Sequence, residues 1–177
     1  MGIAFLFRML TDTHVGPLAP ALTSLGLSNV SAWVATAEGA RTAVLIGDIW
    51  QWTPFMFIIL LAALEGTSRD QLEAAYVDGA TRLQVFRFIL LPQIAPVSLT
   101  LILIRLIEAF KIIDIPRILT GGGPGTATET LTMHSYLEWR SPNLGGSAAI
   151  SYLLLLLVTF VAVMFVNVIR QQIIERL

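Results

Sequence analysis

Polar and apolar positions separate into long blocks along the chain, unlike the short alternations of a water-soluble fold. The longest interval without a charge runs from Ser141 to Ile169, between Arg140 and Arg170, and residues 148–169 are almost wholly apolar. At about 1.5 Å per residue this block extends about 33 Å, enough to cross a hydrocarbon core of about 30 Å. A buried soluble helix is the alternative, but such helices rarely stay apolar on every face for about six turns. A second block, residues 43–64, is apolar apart from Asp48 and Gln51, carries Trp50 and Trp52, and holds Pro54 in its interior. Membrane helices tolerate such a proline, and a kink is expected near it. A third block, residues 94–113, is entered through Pro92 and Pro96 and closed by Asp114 and Pro116. Prolines suit a first helical turn and a stop signal beyond the last one. The pattern predicts an all-α polytopic membrane helix bundle with three complete spans.

The opening Met1–Phe7 run is too short to cross and lacks the basic start and small-residue cleavage site of a signal peptide. It reads either as a plain anchor segment or as the tail of a span already under way. The second reading makes the chain the carboxy-terminal part of a longer membrane domain. Residues 11–41 and 115–146 are mixed and rich in turn formers, as expected of loops with short helices. Basic residues do not orient the spans: Arg69, Arg82, Arg87, Arg170 and Arg176 fall on one side, and Arg8, Arg41, Arg117 and Arg140 on the other.

The polar segment 65–92 has internal order. Ser68-Arg-Asp-Gln71 and Thr81-Arg-Leu-Gln84 both fit a capping box, in which a hydroxyl and a glutamine side chain satisfy each other's backbone amides. Two short helices are predicted. The first presents Leu72, Ala75 and Tyr76 on one face and ends near Gly79, which can adopt the left-handed cap. The second presents Leu83, Phe86 and Ile89 before Pro92 stops it. Four acids and three arginines hold the pair outside the bilayer. It is either an interfacial hairpin on lipid or a docking element.

Composition sharpens the picture. Apolar residues make up 55% and charged residues 13% of 177 residues, and mean hydropathy is +0.76, against roughly 25% charged in soluble domains. A formal charge of -1 leaves no nucleic-acid footprint, and the absence of cysteine removes disulfides, thiolate metal sites and cysteine nucleophiles. His14 and His134 lie in loops without metal-ligand spacing and read as solvated. The Gly121-Gly-Gly-Pro-Gly125 run lacks the Gly-Lys-Ser/Thr ending of a phosphate cradle and reads as a turn.

Arg105, Glu108 and Lys111 are spaced by three and share an arc of about 120° on one helix face. Arg105 lies about 16 Å along the axis from Ile94, near mid-membrane, where an unpaired charge costs roughly 2.5–3.5 kcal/mol or more. Glu108 bridging to both cations reduces that cost. The cluster is a pathway lining, an interhelix latch or a structural ion-pair group.

Glu73-Ala-Ala-Tyr-Val-Asp78-Gly-Ala80, followed by Phe86, Ile89-Leu-Leu-Pro92 and Pro96, resembles the cytoplasmic EAA loop of bacterial ABC importer permeases in its sugar-uptake form. Arg105–Lys111, Leu119–Gly125 and Thr128–Leu131 resemble the fifth span and following external loop of maltose-type carbohydrate permeases. The resemblance covers nearly the whole chain, which departs from the family by lacking the first spans. It implies a type I importer permease in the cytoplasmic membrane, translocating a sugar or related polyol. Implied partners are a cytoplasmic ABC ATPase dimer, a second permease subunit, an extracytoplasmic substrate-binding protein meeting the 115–146 loop, and membrane lipid.

The chain would bind no cofactor, with ATP-Mg held by the partner ATPase, and would not itself be an enzyme. Coupling residues implied by the motif are Glu73, Ala74, Ala75, Asp78, Gly79, Ala80, Phe86 and Pro92. Glu73 would anchor an ion pair, Ala74 and Ala75 permit close approach, and Gly79 makes the corner. Sugar sites combine aromatic platforms with amide, hydroxyl and carboxylate groups. Asp48, Trp50, Gln51, Trp52, Arg105, Glu108, Ser151 and Tyr152 have that chemistry, although Trp and Tyr near span ends also mark the membrane interface. A proton-coupled secondary carrier titrating Glu108 is the alternative, but no internal repeat is present. Paired intramembrane aspartates and a Gly-x-Ser-x-Gly nucleophile are missing as well.

Overall fold

The computed structural model describes residues 2–11, 16, 17, 20, 24 and 34–174. Among them every regular element is helical: α1 (Gly2–Thr11), α2 (Ala37–Glu65), α3 (Arg69–Val77), α4 (Arg82–Val85), a π-turn at Phe86–Leu90, α5 (Leu91–Phe110), a second π-turn at Pro116–Thr120, α6 (Leu131–Arg140) and α7 (Leu144–Ile174). Three stretches are long and apolar enough to cross a membrane: Ala37–Glu65, Arg82–Phe110 and Leu144–Gln171. The polytopic all-α fold predicted from hydropathy is the one observed. His14 lies outside the described residues.

The ends of the helices differ from the apolar blocks for reasons of backbone satisfaction. α2 begins at Ala37, ahead of the apolar block, because the Thr36 hydroxyl accepts the Gly39 N–H at 3.1 Å and caps it. Glu38 then sits in the first turn, favourable to the helix dipole, and pairs with Arg41 at 3.1 Å. α5 ends at Phe110, short of the expected Ile113, because threonine hydroxyls take over the carbonyls beyond its last turn. Thr132 donates to the Phe110 carbonyl at 3.1 Å and Thr130 to that of Ile112 at 2.7 Å.

Pro92 does not stop the second short helix. The π-turn carries the helical track through it: the Leu91 N–H bonds to the Phe86 carbonyl five residues back, so the register shifts just before the residue that lacks an N–H. Pro96 also sits inside the helix. Past it, the Ser98 and Thr100 hydroxyls donate to the carbonyls of Ile94 and Pro96, at 2.9 and 3.0 Å.

The chain divides into two compact units, Met1–Gln51 with Ile107–Leu177, and Trp52–Leu106. In the first, Ala4, Ala40, Ala43, Ile115, Pro116 and Met133 are buried. Gly47 of α2 faces Ile115, where a Cβ would make ordinary van der Waals contact at 3.4 Å. α1 packs on the second π-turn, where Arg8 donates to the Ile118 carbonyl at 3.3 Å. The Gly121–Gly125 run is the turn expected. Thr120 and Thr128 join hydroxyls at 2.6 Å across it, and Thr128 reaches the Gly123 carbonyl at 3.0 Å. In the second unit, Val85, Ile94 and Leu101 form the buried apolar set.

Candidate functional site

The segment between the first two spans is built as a helix, a glycine corner and a second helix. α3 ends in a Schellman motif: the Ala80 N–H bonds to the Ala75 carbonyl at 2.9 Å and the Gly79 N–H to that of Tyr76 at 3.1 Å. Gly79 adopts φ +80° with nothing within 4 Å of a would-be Cβ, so it was chosen for backbone conformation and not for space. α4 then starts from a complete capping box. Thr81 accepts the Gln84 N–H at 3.4 Å, and the Gln84 side chain accepts the Thr81 N–H at 2.7 Å.

Two expectations for this segment need correction. Ser68 stands at the N-cap of α3 but makes no side-chain cap bond. The Gln71 amide that would complete the box is engaged by Gln93, whose Nε2 donates to its Oε1 at 2.6 Å. The inward residue of α4 is also not Leu83 or Phe86, which are both exposed; Val85 is the buried one. On α3, Leu72 and Ala75 are half-buried, whereas Tyr76 turns outward.

No residue of α3 is fully buried. Glu73, Ala74, Val77 and Asp78 are exposed, Val77 to 87%. Among the described residues Glu73 has no ion-pair partner. Ala80 is half-buried, Phe86 exposed within the π-turn, and Pro92 exposed just beyond it. Asp78, Gly79, Ala80, Gln84, Val85, Phe88 and Ile89 line a cavity of about 300 Å3. The eight motif residues thus lie within one continuous hairpin and its exit, with the carboxylates of Glu73 and Asp78, the apolar side chains of Ala74, Phe86 and Pro92 and a sharp corner offered outward.

The residues considered for a substrate pathway are distributed differently. In the first unit Asp48 is buried, Gln51 is half-buried, and the exposed Trp50 meets Phe7 edge-on with centroids 5.6 Å apart. Glu108 forms an ion pair with Lys111, one turn along. Ser151 shares a hydroxyl contact of 2.8 Å with the buried Ser135, which also meets Ser147 at 3.2 Å, so this side chain joins α6 to α7. Tyr152 is exposed. In the second unit the Arg105 guanidinium lies 5.4 Å from the centroid of the Trp52 ring, a cation–π partner that spacing along one helix does not reveal. His134, expected to be isolated in a loop, is on α6, with Nδ1 2.5 Å from Glu129 and Nε2 3.9 Å from Glu138. Among the described residues no group of three or more His, Asp or Glu could hold a metal ion.

Against known proteins, residues 1–175 match the family described as "Binding-protein-dependent transport system inner membrane component". The chain belongs to that family. This inner membrane component is 38% identical over 147 residues to the trehalose/maltose transport system permease protein MalF of Thermococcus litoralis, covering 83% of this chain and 50% of that one. It is 36% identical over 160 residues to the sn-glycerol-3-phosphate transport system permease protein UgpA of Yersinia pseudotuberculosis, covering 88% and 53%. The chain therefore spans about half the length of these relatives. A chain in the crystal structure of a bacterial alginate ABC transporter, in complex with its alginate pentasaccharide-bound periplasmic protein, superposes with a TM-score of 0.80 at 23% identity, covering 92% of this chain and 57% of that one. That likeness establishes a shared permease fold, and family and apolar helices together make this a multi-pass membrane protein.

Proposed function

We infer that this inner membrane component acts in an ATP-driven importer of a sugar or related polyol, and that α3 is the element through which a separate ATPase drives it. One observation carries the reading: α3 presents Glu73, Tyr76 and Val77 outward, buries no residue of its own, and turns back through a capped glycine corner into a spanning helix. An exposed carboxylate without an internal partner suits an ion pair with a basic residue of a partner, and the alanines beside it admit a close surface. A short helix fixed between two spans passes a rigid-body displacement to both.

In this reading the chain supplies no catalytic group, and ATP-Mg is held by a cytoplasmic ATPase dimer. A second permease subunit completes the pathway, and an extracytoplasmic binding protein delivers substrate at the loop 115–146. The names of the trehalose/maltose and glycerol-3-phosphate relatives support a sugar or polyol as cargo. Asp48, Trp50, Gln51, Trp52, Arg105, Glu108, Ser151 and Tyr152 remain the proposed pathway set. Within it, the Trp52 face already carries Arg105, Trp50 already meets Phe7, and Ser151 already carries Ser135, so Gln51 and Tyr152 have the freer side chains for a sugar. A proton-coupled carrier is not favoured, because family membership places the chain among binding-protein-dependent systems.

The test is copurification of the membrane complex with the ATPase encoded beside it, followed by ATP hydrolysis assayed with a panel of mono- and disaccharides and polyols. Hydrolysis stimulated by one of them supports the reading. A chain that recovers no ATPase and carries out uptake driven by a proton gradient contradicts it.

A further inference from the structure

In the second unit, the element that has most to transmit is lightly anchored. α3 has no buried side chain, its Ser68 cap bond is unmade, and its carboxy-terminal joint is a glycine. Among the described residues a single side-chain hydrogen bond ties α3 to α5: Gln93 Nε2 to Gln71 Oε1, at 2.6 Å and across 22 positions of sequence. Gln71 lies in the first turn of α3, and Gln93 lies just past the π-turn at the start of α5. The bond therefore closes a triangle whose other sides are α3 and the α4 segment with its π-turn, and whose free vertex is Gly79.

A helix held at one end by a glycine corner keeps its tilt under load better when its far end is braced as well. We propose that the Gln71–Gln93 amide pair is that brace: a positioning pair that fixes the tilt of α3 against the second span and so couples the partner's movement to the membrane helices. The chemistry fits a brace that must also release. Two neutral amides on an exposed surface exchange with water readily, whereas a buried ion pair would lock.

This inference rests on the coupling reading above, and the experiment separates the two. In the assembled transporter in lipid nanodiscs, hydrogen exchange of the α3 amides is compared between the parent and Gln93→Ala. In proteoliposomes, uptake per ATP hydrolysed is measured for Gln71→Ala, Gln93→Ala, the double alanine variant and Gln71→Glu/Gln93→Lys. The brace predicts faster exchange over residues 70–77 and a fall in uptake per ATP of about two- to ten-fold, the range that follows from losing one such hydrogen bond. The double alanine variant should be no worse than either single one, and the charged pair should restore the ratio, with ATPase copurification unchanged throughout. Unchanged exchange in Gln93→Ala, additive losses, or no rescue by the charged pair overturns the brace and leaves the coupling reading standing. Failure of the parent complex to recover an ATPase overturns the coupling reading, while the exchange result still decides whether the brace exists.

Discussion

The two loop regions flanking the α4–α5 span are built on opposite principles. The turn region 115–146 is tied into the helices around it: Ile115, Pro116 and Met133 are buried, Thr120 and Thr128 join hydroxyls, and Thr130, Thr132 and Ser135 spend theirs on Ile112, Phe110 and Ser151. The hairpin 65–92 has one buried apolar side chain, Val85, and leaves Glu73, Tyr76 and Val77 outward. Its backbone is nonetheless tightly specified by a Schellman motif and a capping box. A segment with a fixed backbone and unspent side chains is shaped for a partner; a segment whose hydroxyls are spent on the neighbouring helices is shaped to hold position.

That contrast is open to attack by mutation. The largest effect is expected on transport and not on folding: Glu73→Lys reverses the outward charge and should abolish uptake, while the melting temperature of the purified complex stays within about 2 °C, as for surface substitutions generally. A folding defect of that variant would blur the distinction between the regions. Next comes Gly122→Ala, in the turn region 115–146. Gly122 has φ +87°, and a Cβ there would stand 3.0 Å from the Met133 side chain. Left-handed strain and crowding together should cost about 2–4 kcal/mol, read from denaturation in detergent.

Thr130→Val removes both the cap of α6, where Thr130 accepts the Met133 N–H at 3.2 Å, and the bond to Ile112. It should cost about 1–2 kcal/mol by the same assay. The smallest pair sharpens the comparison within the hairpin. Thr81→Ala should destabilise α4 by about 1 kcal/mol, whereas Ser68→Ala, at a cap that makes no bond, should change stability by less than about 0.5 kcal/mol. Hydrogen exchange of the first turns of α4 and α3 distinguishes them.

Much of this was legible in the letters. Three apolar blocks announced three spans because a bilayer constrains length and polarity more strictly than a protein core does. The corner at Gly79 and the Thr81 box were legible because every partner in them is local in sequence. What escaped reading depended on partners far along the chain. Identical box logic failed at Ser68, whose hydroxyl makes no cap bond, while the Gln71 side chain is turned to Gln93, 22 positions along the chain. Pro92 looked like a stop because a register shift at Phe86–Leu90 leaves no mark in composition. Arg105 was assigned partners on its own helix, and the face of Trp52, on another helix, was missed for the same reason. His134 looked solitary because spacing was judged against metal motifs, although Glu129 and Glu138 flank it five and four residues away and are visible in the sequence.

The most direct test places a cysteine at the exposed position Val77, in a chain that has none of its own, and treats the assembled transporter with a thiol-to-amine crosslinker. The account predicts a single major adduct between this chain and the nucleotide-hydrolysing subunit, its yield changing between the ATP-bound and nucleotide-free states. An adduct formed only with lipid or with the second permease, in both states, would contradict it.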